Sequence, residues 1–317
     1  MRKGAVLILL LGVAAPATWA QAVISARSGM VNYVDGEVQL AGQTVKLDGA
    51  IFPEVKPGQI LSTQQGRAEI LLTPGVFLRL DRDTSFRMIS NQLTDTRLEI
   101  LNGAALVEAD EILKDNRIDI KMADTETVLL KTGLYHFNAS AGQVRTFEGK
   151  AQVSDASHST ELSGGRTLLV GSSLTPDKFN KGKLKDELYA WSEQRDYRLA
   201  LANISAARRT SSKGLSNSLW AWDPWLSMYT YLPRSGRYYS PFGIPWYSPA
   251  TVWVVFQPQA APYSGYQASN SSWQGVAPSS AQASAAPSSN ASTGSVGATS
   301  GSSSSAVASS AAASRGR

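Results

Sequence analysis

Short apolar runs alternate with turn-forming residues along the first half of this chain. Between Ala26 and Gly171 the runs are broken by Gly, Asn, Asp and Pro. Period-two alternation with such punctuation is typical of short β-strands joined by tight turns. We therefore predict one all-β domain, a sandwich or roll of many short strands, over residues 23–175.

Three stretches of this region share one local pattern. In each, an apolar residue precedes an Asp, Asn or Glu, then a Gly, then alternating small or apolar positions; the central pairs are Asp35-Gly36, Asn102-Gly103 and Glu148-Gly149. Glycine suits a turn that requires positive φ. The glycines are unevenly spaced, which argues against a solenoid repeat. We predict hairpin corners at these three places, and a further hairpin around Thr73-Pro74-Gly75.

A helical pattern follows within residues 176–212. Charged residues and helix formers dominate from Leu184 to Arg209. Apolar residues recur there at steps of three or four, and Arg195 interrupts the pattern. The apolar positions are Leu184, Leu188, Trp191, Leu199, Ala202 and Ala206. This spacing predicts one amphipathic helix with one apolar face. We expect Trp191 to pack against either the β domain or the segment that follows.

Aromatic residues are concentrated in the next segment, residues 213–257. Five of the eight Trp and five of the eleven Tyr lie between Trp220 and Phe256, interleaved with Pro and Gly. Aromatic rings offer large contact areas at low entropic cost. They could pack back on the β domain as a small core, contact a protein or membrane surface, or stack on a glycan. The candidate interaction surface is Trp220, Trp222, Trp225, Tyr229, Tyr231, Tyr238, Tyr239, Trp246 and Tyr247.

The two ends of the chain have different compositions. Arg2 and Lys3 precede an apolar run from Ala5 to Ala15 and then small residues, which predicts a secretory signal peptide over residues 1–22. Cleavage after Ala20 or after Ala22 fits equally, and a retained N-terminal anchor is the alternative. Residues 258–317 are almost entirely Ser, Ala, Gly, Asn and Gln, a composition that predicts a disordered tail.

Composition narrows the function classes. The chain has no Cys, which excludes a disulfide framework, a thiolate zinc site and a Cys nucleophile. The net charge of +5 would fall to +3 if Arg2 and Lys3 leave with the signal peptide, so a nucleic-acid partner is not expected. No later segment has the length and hydropathy of a transmembrane helix.

The sequence also lacks a convincing catalytic constellation. Only two His are present, and His136 alternates with Tyr135 and Phe137 as a strand residue would. His158 lies in a polar stretch without a nucleophile elbow. Two acidic groups, Asp81 with Asp83 and Glu108-Ala109-Asp110-Glu111, are interpreted as turn residues and as a solvated face, respectively. We therefore predict no catalytic residue, no cofactor and no metal.

Several motifs in order resemble the FecR-type domain family over residues 29–171. They comprise Gly29-Met30-Val31, Asp35-Gly36, Pro57-Gly58-Gln59-Ile60-Leu61-Ser62-Thr63, Gly66-Arg67-Ala68-Glu69-Ile70-Leu71-Leu72, Pro74-Gly75, Leu78-Arg79-Leu80, Leu98 to Gly103, Lys131-Thr132-Gly133-Leu134-Tyr135-His136-Phe137 and Val144 to Val153. The helix around Trp191 and the run from Ser227 to Pro249 are similar to the C-terminal part of stand-alone exported members.

The resemblance implies an interaction module in the bacterial envelope. Classical FecR regulators place a cytoplasmic anti-sigma segment and a membrane helix before this domain, and neither pattern occurs in this chain, so sigma-factor signalling is not implied. We expect a non-enzymatic, exported, periplasmic or extracellular protein that acts as a scaffold or sensor and binds an envelope protein. The alternative is a carbohydrate-binding accessory protein, or a hydrolase, acting on cell-wall or extracellular polysaccharide.

Overall fold

The structure, a computed structural model, describes residues 28–48, 52–171, 173–210 and 215–256. The predicted signal peptide at 1–22 and the predicted tail at 258–317 lie outside these residues. Within the described residues the chain is mainly β-structure, followed by one long helix and a segment of short strands. The predicted all-β fold class, with a helix after the sheets, is confirmed.

Two large sheets form the β domain. The strands are β1 (Met30–Asp35), β2 (Val38–Leu40), β3 (Gln43–Thr44), β4 (Ile60–Thr63), β5 (Arg67–Leu71), β6 (Val76–Leu80), β7 (Ser85–Gln92), β8 (Asp95–Asn102), β9 (Ala104–Ala109), β10 (Arg117–Met122), β11 (Thr125–Leu129), β12 (Gly133–Asn138), β13 (Gln143–Glu148), β14 (Lys150–Ser154), β15 (Ser159–Ser163), β16 (Arg166–Leu169) and β17 (Asp177–Lys178). One sheet has eight strands in the order β1-β5-β6-β9-β12-β13-β16-β17. The other has nine, in the order β15-β14-β11-β10-β8-β7-β4-β2-β3.

The three glycine corners connect the two sheets. Gly36, Gly103 and Gly149 all have positive φ, as predicted. Each follows a strand of one sheet and precedes a strand of the other, so the flanking strands do not pair with each other. The prediction of hairpins at these corners is therefore wrong, whereas the hairpin of β5 and β6 around Gly75 is confirmed.

The main core lies between the sheets. Along β6, Val76, Leu78 and Leu80 point into this core, and β5 and β9 alternate in the same way. Strand residues at odd and even positions face opposite sides of a sheet. The residues between them, such as Phe77 and Leu106, are also fully buried. The outer face of the eight-stranded sheet must therefore be covered by another layer.

That layer is built from the C-terminal part of the chain. A short 3-10 helix at Lys181–Leu184 leads to helix α1 (Glu187–Arg209), whose first turn is capped by the Asp186 carboxylate. The helix starts later than the predicted segment boundary at residue 176, because β17 still belongs to the sheet. Leu188 and Leu199 are fully buried on its inner side.

The aromatic segment completes the covering layer. It contains two hairpins and a short helix, namely β18 (Leu219–Asp223) with β19 (Met228–Leu232), β20 (Arg237–Tyr239) with β21 (Pro245–Tyr247), and α2 (Pro249–Val255). The Asn203 side chain of α1 joins these hairpins, since it donates to the carbonyl oxygens of Tyr231 and Tyr247 and accepts from the Tyr247 N–H, each at 2.9 Å. Neither of the α-helices in the described residues is long and apolar enough to cross a membrane.

Candidate interaction surface

The nine aromatic residues predicted as an interaction surface divide into two groups. Five are buried, namely Trp220, Tyr229, Tyr231, Trp246 and Tyr247, and Trp222 is half-buried. Trp225, Tyr238 and Tyr239 are exposed, and Trp225 is the most open at 82 %. In this structure only the second group offers a surface that a partner could contact directly.

The buried rings form a small core on the outer face of the eight-stranded sheet. Phe77 of β6 lies with its ring centroid 5.2 Å from that of Trp220 and 5.9 Å from that of Trp246. Tyr231 packs edge-on against Trp246 at 5.5 Å. Edge-on and offset ring pairs at these distances are stabilising. Of the three roles considered for the segment, packing back on the β domain applies to these residues.

A local turn holds Trp225 in the solvent. One carboxylate oxygen of Asp223 accepts hydrogen bonds from the N–H groups of Trp225 and Leu226, both at 2.9 Å. The other oxygen accepts from Arg209 of α1 at 3.1 Å. Asp223 is fully buried. Its hydrogen bonds therefore hold the turn in one conformation and attach it to α1. The exposure of Trp225 is thus a property of an ordered turn.

Trp225 closes one side of a groove on the outer side of α1. The groove encloses about 360 Å³ and is lined by Leu201, Ile204, Ser205, Arg208, Arg209 and Trp225. Leu201 is 43 % exposed, and Tyr197, one helical turn earlier, is 57 % exposed. We call this set the α1 groove. It combines apolar walls with two arginines, and its lining includes no carboxylate.

Charged residues are buried beneath the same helix, between α1 and the sheet. Glu69 of β5 accepts from Arg79 at 3.0 Å and from Arg195 of α1 at 2.8 Å, and Arg79 also pairs with Glu108. All of these side chains are at most 3 % exposed. Burial raises the pKa of Glu69, but the charges of Arg195 and Arg79 outweigh burial and lower this pKa to about 2. Arg195, which interrupts the apolar pattern in sequence, is therefore an internal residue.

Two further acids lie beside Glu108. Oxygen atoms of Glu108, Asp110 and Asp196 lie within 4.8 Å of one another, and all three residues are buried. Burial and the neighbouring Glu108 carboxylate raise the pKa values of Asp110 and Asp196 well above the usual range. The interpretation of Glu108 and Asp110 as a solvated face is therefore wrong, because the helix covers this side of β9. We call Glu69, Arg79, Glu108, Asp110, Arg195 and Asp196 the buried charge cluster.

The remaining candidates occupy structural positions. His136 is buried on β12, with Nε2 3.4 Å from the Asp186 carboxylate that caps α1. His158 is exposed in the turn between β14 and β15. Asp81 accepts from Arg67 at 2.8 Å, and Asp83 is a turn residue with a φ of 51°. These positions bring no nucleophile and base together among the described residues.

Comparison with known families fits this architecture. Residues 59–159 match the family model described as FecR protein. The chain carries a FecR-type domain. The match runs from the beginning of β4 to the beginning of β15, so the FecR model covers much of both sheets and leaves α1 and the aromatic segment outside.

Two solved structures also match part of the chain. Both are crystal structures of a Parabacteroides distasonis protein provisionally described as an anti-sigma factor, with 12 % and 13 % identity and a TM-score of 0.35 in each case. Each match covers 42 % of this chain, and it spans 64 % and 62 % of the respective protein. No curated protein matches this chain.

Proposed function

We propose that this protein is an exported, non-catalytic sensor or scaffold of the bacterial cell envelope that binds a protein partner through the α1 groove. The FecR domain supports a regulatory or sensor role and a protein partner. Export is supported by the N-terminal sequence, in which Arg2 and Lys3 precede an apolar run from Ala5 to Ala15. The two histidines give catalysis no support, because each lies 3.4 Å from an aspartate and neither ring is hydrogen-bonded to a nucleophilic side chain among the described residues.

The observation that carries the binding proposal is the fixed exposure of Trp225 beside the apolar stripe of α1. An exposed Trp on an ordered turn gives a large contact area without an added ordering cost. Leu201 and Ile204 supply an adjoining apolar wall. Residues at this spacing on a helix form one continuous strip, which suits an extended or helical segment of a partner.

The charges on the groove indicate the chemistry of that segment. Arg208 and Arg209 line it, and because Arg209 already pairs with Asp223, Arg208 is the cation that an acidic residue of an apolar partner segment would complement. A glycan site normally combines aromatic platforms with polar groups that hydrogen-bond sugar hydroxyls, including carboxylates. The lining of the α1 groove holds no carboxylate, so the groove favours a protein over a polysaccharide.

Site-specific photo-crosslinking in the native envelope tests this proposal. A photoreactive residue at Trp225 should give one discrete adduct with a partner protein, and Leu201→Asp should abolish that adduct by placing a charge on the apolar wall. Leu130→Asp is the matched control, because Leu130 is similarly exposed, at 47 %, but lies on the β domain. An adduct that survives Leu201→Asp, or the absence of any adduct, would reject the groove as the binding site.

Export is tested separately by sequencing the N-terminus of the protein recovered from the envelope or medium. A chain beginning at Gln21 or Val23 is expected. A chain that keeps Arg2 in a membrane fraction would instead indicate a retained anchor.

A further inference from the structure

The buried charge cluster holds more negative than positive groups. Glu69 is fully engaged, since it accepts from Asn32, Arg79 and Arg195. Arg79 also pairs with Glu108. The two arginines can therefore balance Glu69 and Glu108, whereas Asp110 and Asp196 form no salt bridge with any residue that the structure describes. Two negative charges left in a protein interior carry a large desolvation cost and require compensation.

Among the described residues of the buried charge cluster, the oxygen atoms that lack a hydrogen-bond partner lie on Glu108, Asp110 and Asp196, and two guanidinium nitrogens, Arg79 Nη2 and Arg195 Nη1, also lack one. Both carboxylate oxygens of Asp110, one of Glu108 and one of Asp196 are buried and accept no hydrogen bond. The second oxygen of Asp196 accepts from Ser240 at 2.5 Å, and the second oxygen of Glu108 is bonded to Arg79. One carboxylate oxygen from each acid lies within 4.8 Å of the others, so the three carboxylates converge on one buried place beneath α1.

The separation fits ligands that share one ion. Two oxygens bound to the same Ca²⁺ at about 2.3–2.6 Å can lie up to about 5 Å apart. The donor set consists only of carboxylate oxygens. Such oxygens suit hard divalent cations better than softer transition metals. A single divalent cation would also cancel the two excess charges.

We propose that Glu108, Asp110 and Asp196 form a binding site for one hard divalent cation, with Ca²⁺ the best match. Glu108 and Asp110 belong to the sheet region around β9, whereas Asp196 belongs to α1. Ser240 links Asp196 to the aromatic segment. The cation therefore fastens the covering layer to the FecR domain and stabilises the element that carries the α1 groove.

Protons shared among the three acids are the competing means of charge compensation. The two arrangements differ in what an amide substitution does. If protons compensate the excess negative charge, Asp110→Asn mimics the protonated state, and added Ca²⁺ does not change the Tm of the protein. If a cation compensates, Asp110→Asn removes a ligand and the response to Ca²⁺ is lost.

Calorimetric titration and thermal unfolding of the EDTA-treated full chain decide between them, with CaCl₂, MgCl₂ and, as an ionic-strength control, NaCl. One Ca²⁺ per chain is expected, with a rise in Tm of about 5 °C or more at 100-fold excess over Kd. Asp110→Asn and Asp196→Asn should each lose that rise. The matched control is Asp115→Asn, an exposed acid in the loop after β9, which should keep it.

The wild-type titration needs no variant to fold, so it tests the site directly. No heat of binding and no Tm shift at millimolar Ca²⁺ or Mg²⁺ would overturn the proposal. A shift that persists in both Asn variants would also overturn it, because the ion would then bind elsewhere. The site rests on the geometry beneath α1 and not on the proposed partner, so either proposal can fail alone.

Discussion

At the scale of single residues, charges hidden between two layers distinguish this protein from a simple sandwich. Glu69, Arg79 and Glu108 each lie between apolar neighbours in a buried strand. From the sequence such positions indicate a solvent-facing side. The layer that covers them is supplied by α1 and the aromatic segment, far later in the chain, so periodicity alone could not identify them. A signal was nevertheless present, since Arg195 and Asp196 interrupt the apolar pattern of the helix.

Arg79 should be among the most sensitive positions in the chain. Replacing it with Met removes the shared partner of Glu69 and Glu108 and leaves two buried carboxylates undercompensated. Loss of one member of a buried ion pair costs about 3–5 kcal/mol. The measurement is the free energy of unfolding in urea.

Arg87→Met is the control, because Arg87 makes a single, partly exposed pair with Glu99. Such pairs contribute about 1 kcal/mol or less. Equal small losses for both variants would show that the cluster does not depend on Arg79.

At the scale of elements, the sequence predicted where the corners between the sheets lie but not how the strands on either side are connected. The requirement for positive φ at Gly36, Gly103 and Gly149 follows from local chemistry, and the structure has it. Whether the next strand pairs with the previous one or joins the opposite sheet depends on tertiary packing, which a short motif does not encode. The hairpin at Gly75 was predictable because the two apolar strands around it have matching lengths.

Gly149→Ala should be more harmful than a substitution at an open glycine. A Cβ at residue 149 would overlap the Tyr135 hydroxyl and would lie 2.5 Å from the Thr132 carbonyl oxygen. Gly58 has a similar positive φ, but a Cβ there meets nothing within 4 Å. Gly58→Ala should cost about 1–2 kcal/mol for the left-handed backbone alone. Gly149→Ala should cost a further ~1–3 kcal/mol for overpacking, and chemical denaturation that ranks the two equally would refute this account.

Helix α1 offers a second test. Its docking on the β domain was predictable from the spacing of Leu188 and Trp191, but the degree of burial was not. Leu199 is fully buried, whereas Trp191 is half-buried beside Tyr33, with ring centroids 6.4 Å apart. Leu199→Ala should lower the free energy of unfolding by about 2–5 kcal/mol. Trp191→Ala should lower it by less than ~3 kcal/mol, the lower end of the range for a fully buried Trp.

Exposed Glu193→Ala should change the free energy of unfolding by about 0.5 kcal/mol or less. A Leu199→Ala loss as small as that of Glu193→Ala would mean that the helix does not dock in solution.

At the scale of the whole molecule, the family match and the folded unit differ in extent. The FecR match ends at residue 159, but the outer face of the eight-stranded sheet is finished only by α1 and the aromatic segment. The sequence distinguishes these regions by composition. It could not show that they form one packed body, because the apolar side of each was compatible with several partners.

A fragment of residues 28–180 should therefore behave worse than one of residues 28–256. The shorter fragment exposes Leu71, Phe77 and Leu106 together with the buried charges on the same face. We expect it to bind a hydrophobic dye and to lose cooperative unfolding. The longer fragment should unfold in one transition by both fluorescence and circular dichroism. Equal stability of the two fragments would contradict this dependence.

The contact between the first strand and the aromatic segment affects the order of folding. The Asn32 side chain donates to the Tyr229 carbonyl oxygen and accepts from the Tyr229 N–H, both at 2.9 Å, across 197 positions of sequence. Closing so long a loop is entropically unfavourable and slows folding. A chain that emerges from its N-terminus cannot complete the environment of its first strand until residue 229 has appeared, so the outer side of the eight-stranded sheet stays accessible to chaperones and proteases until then.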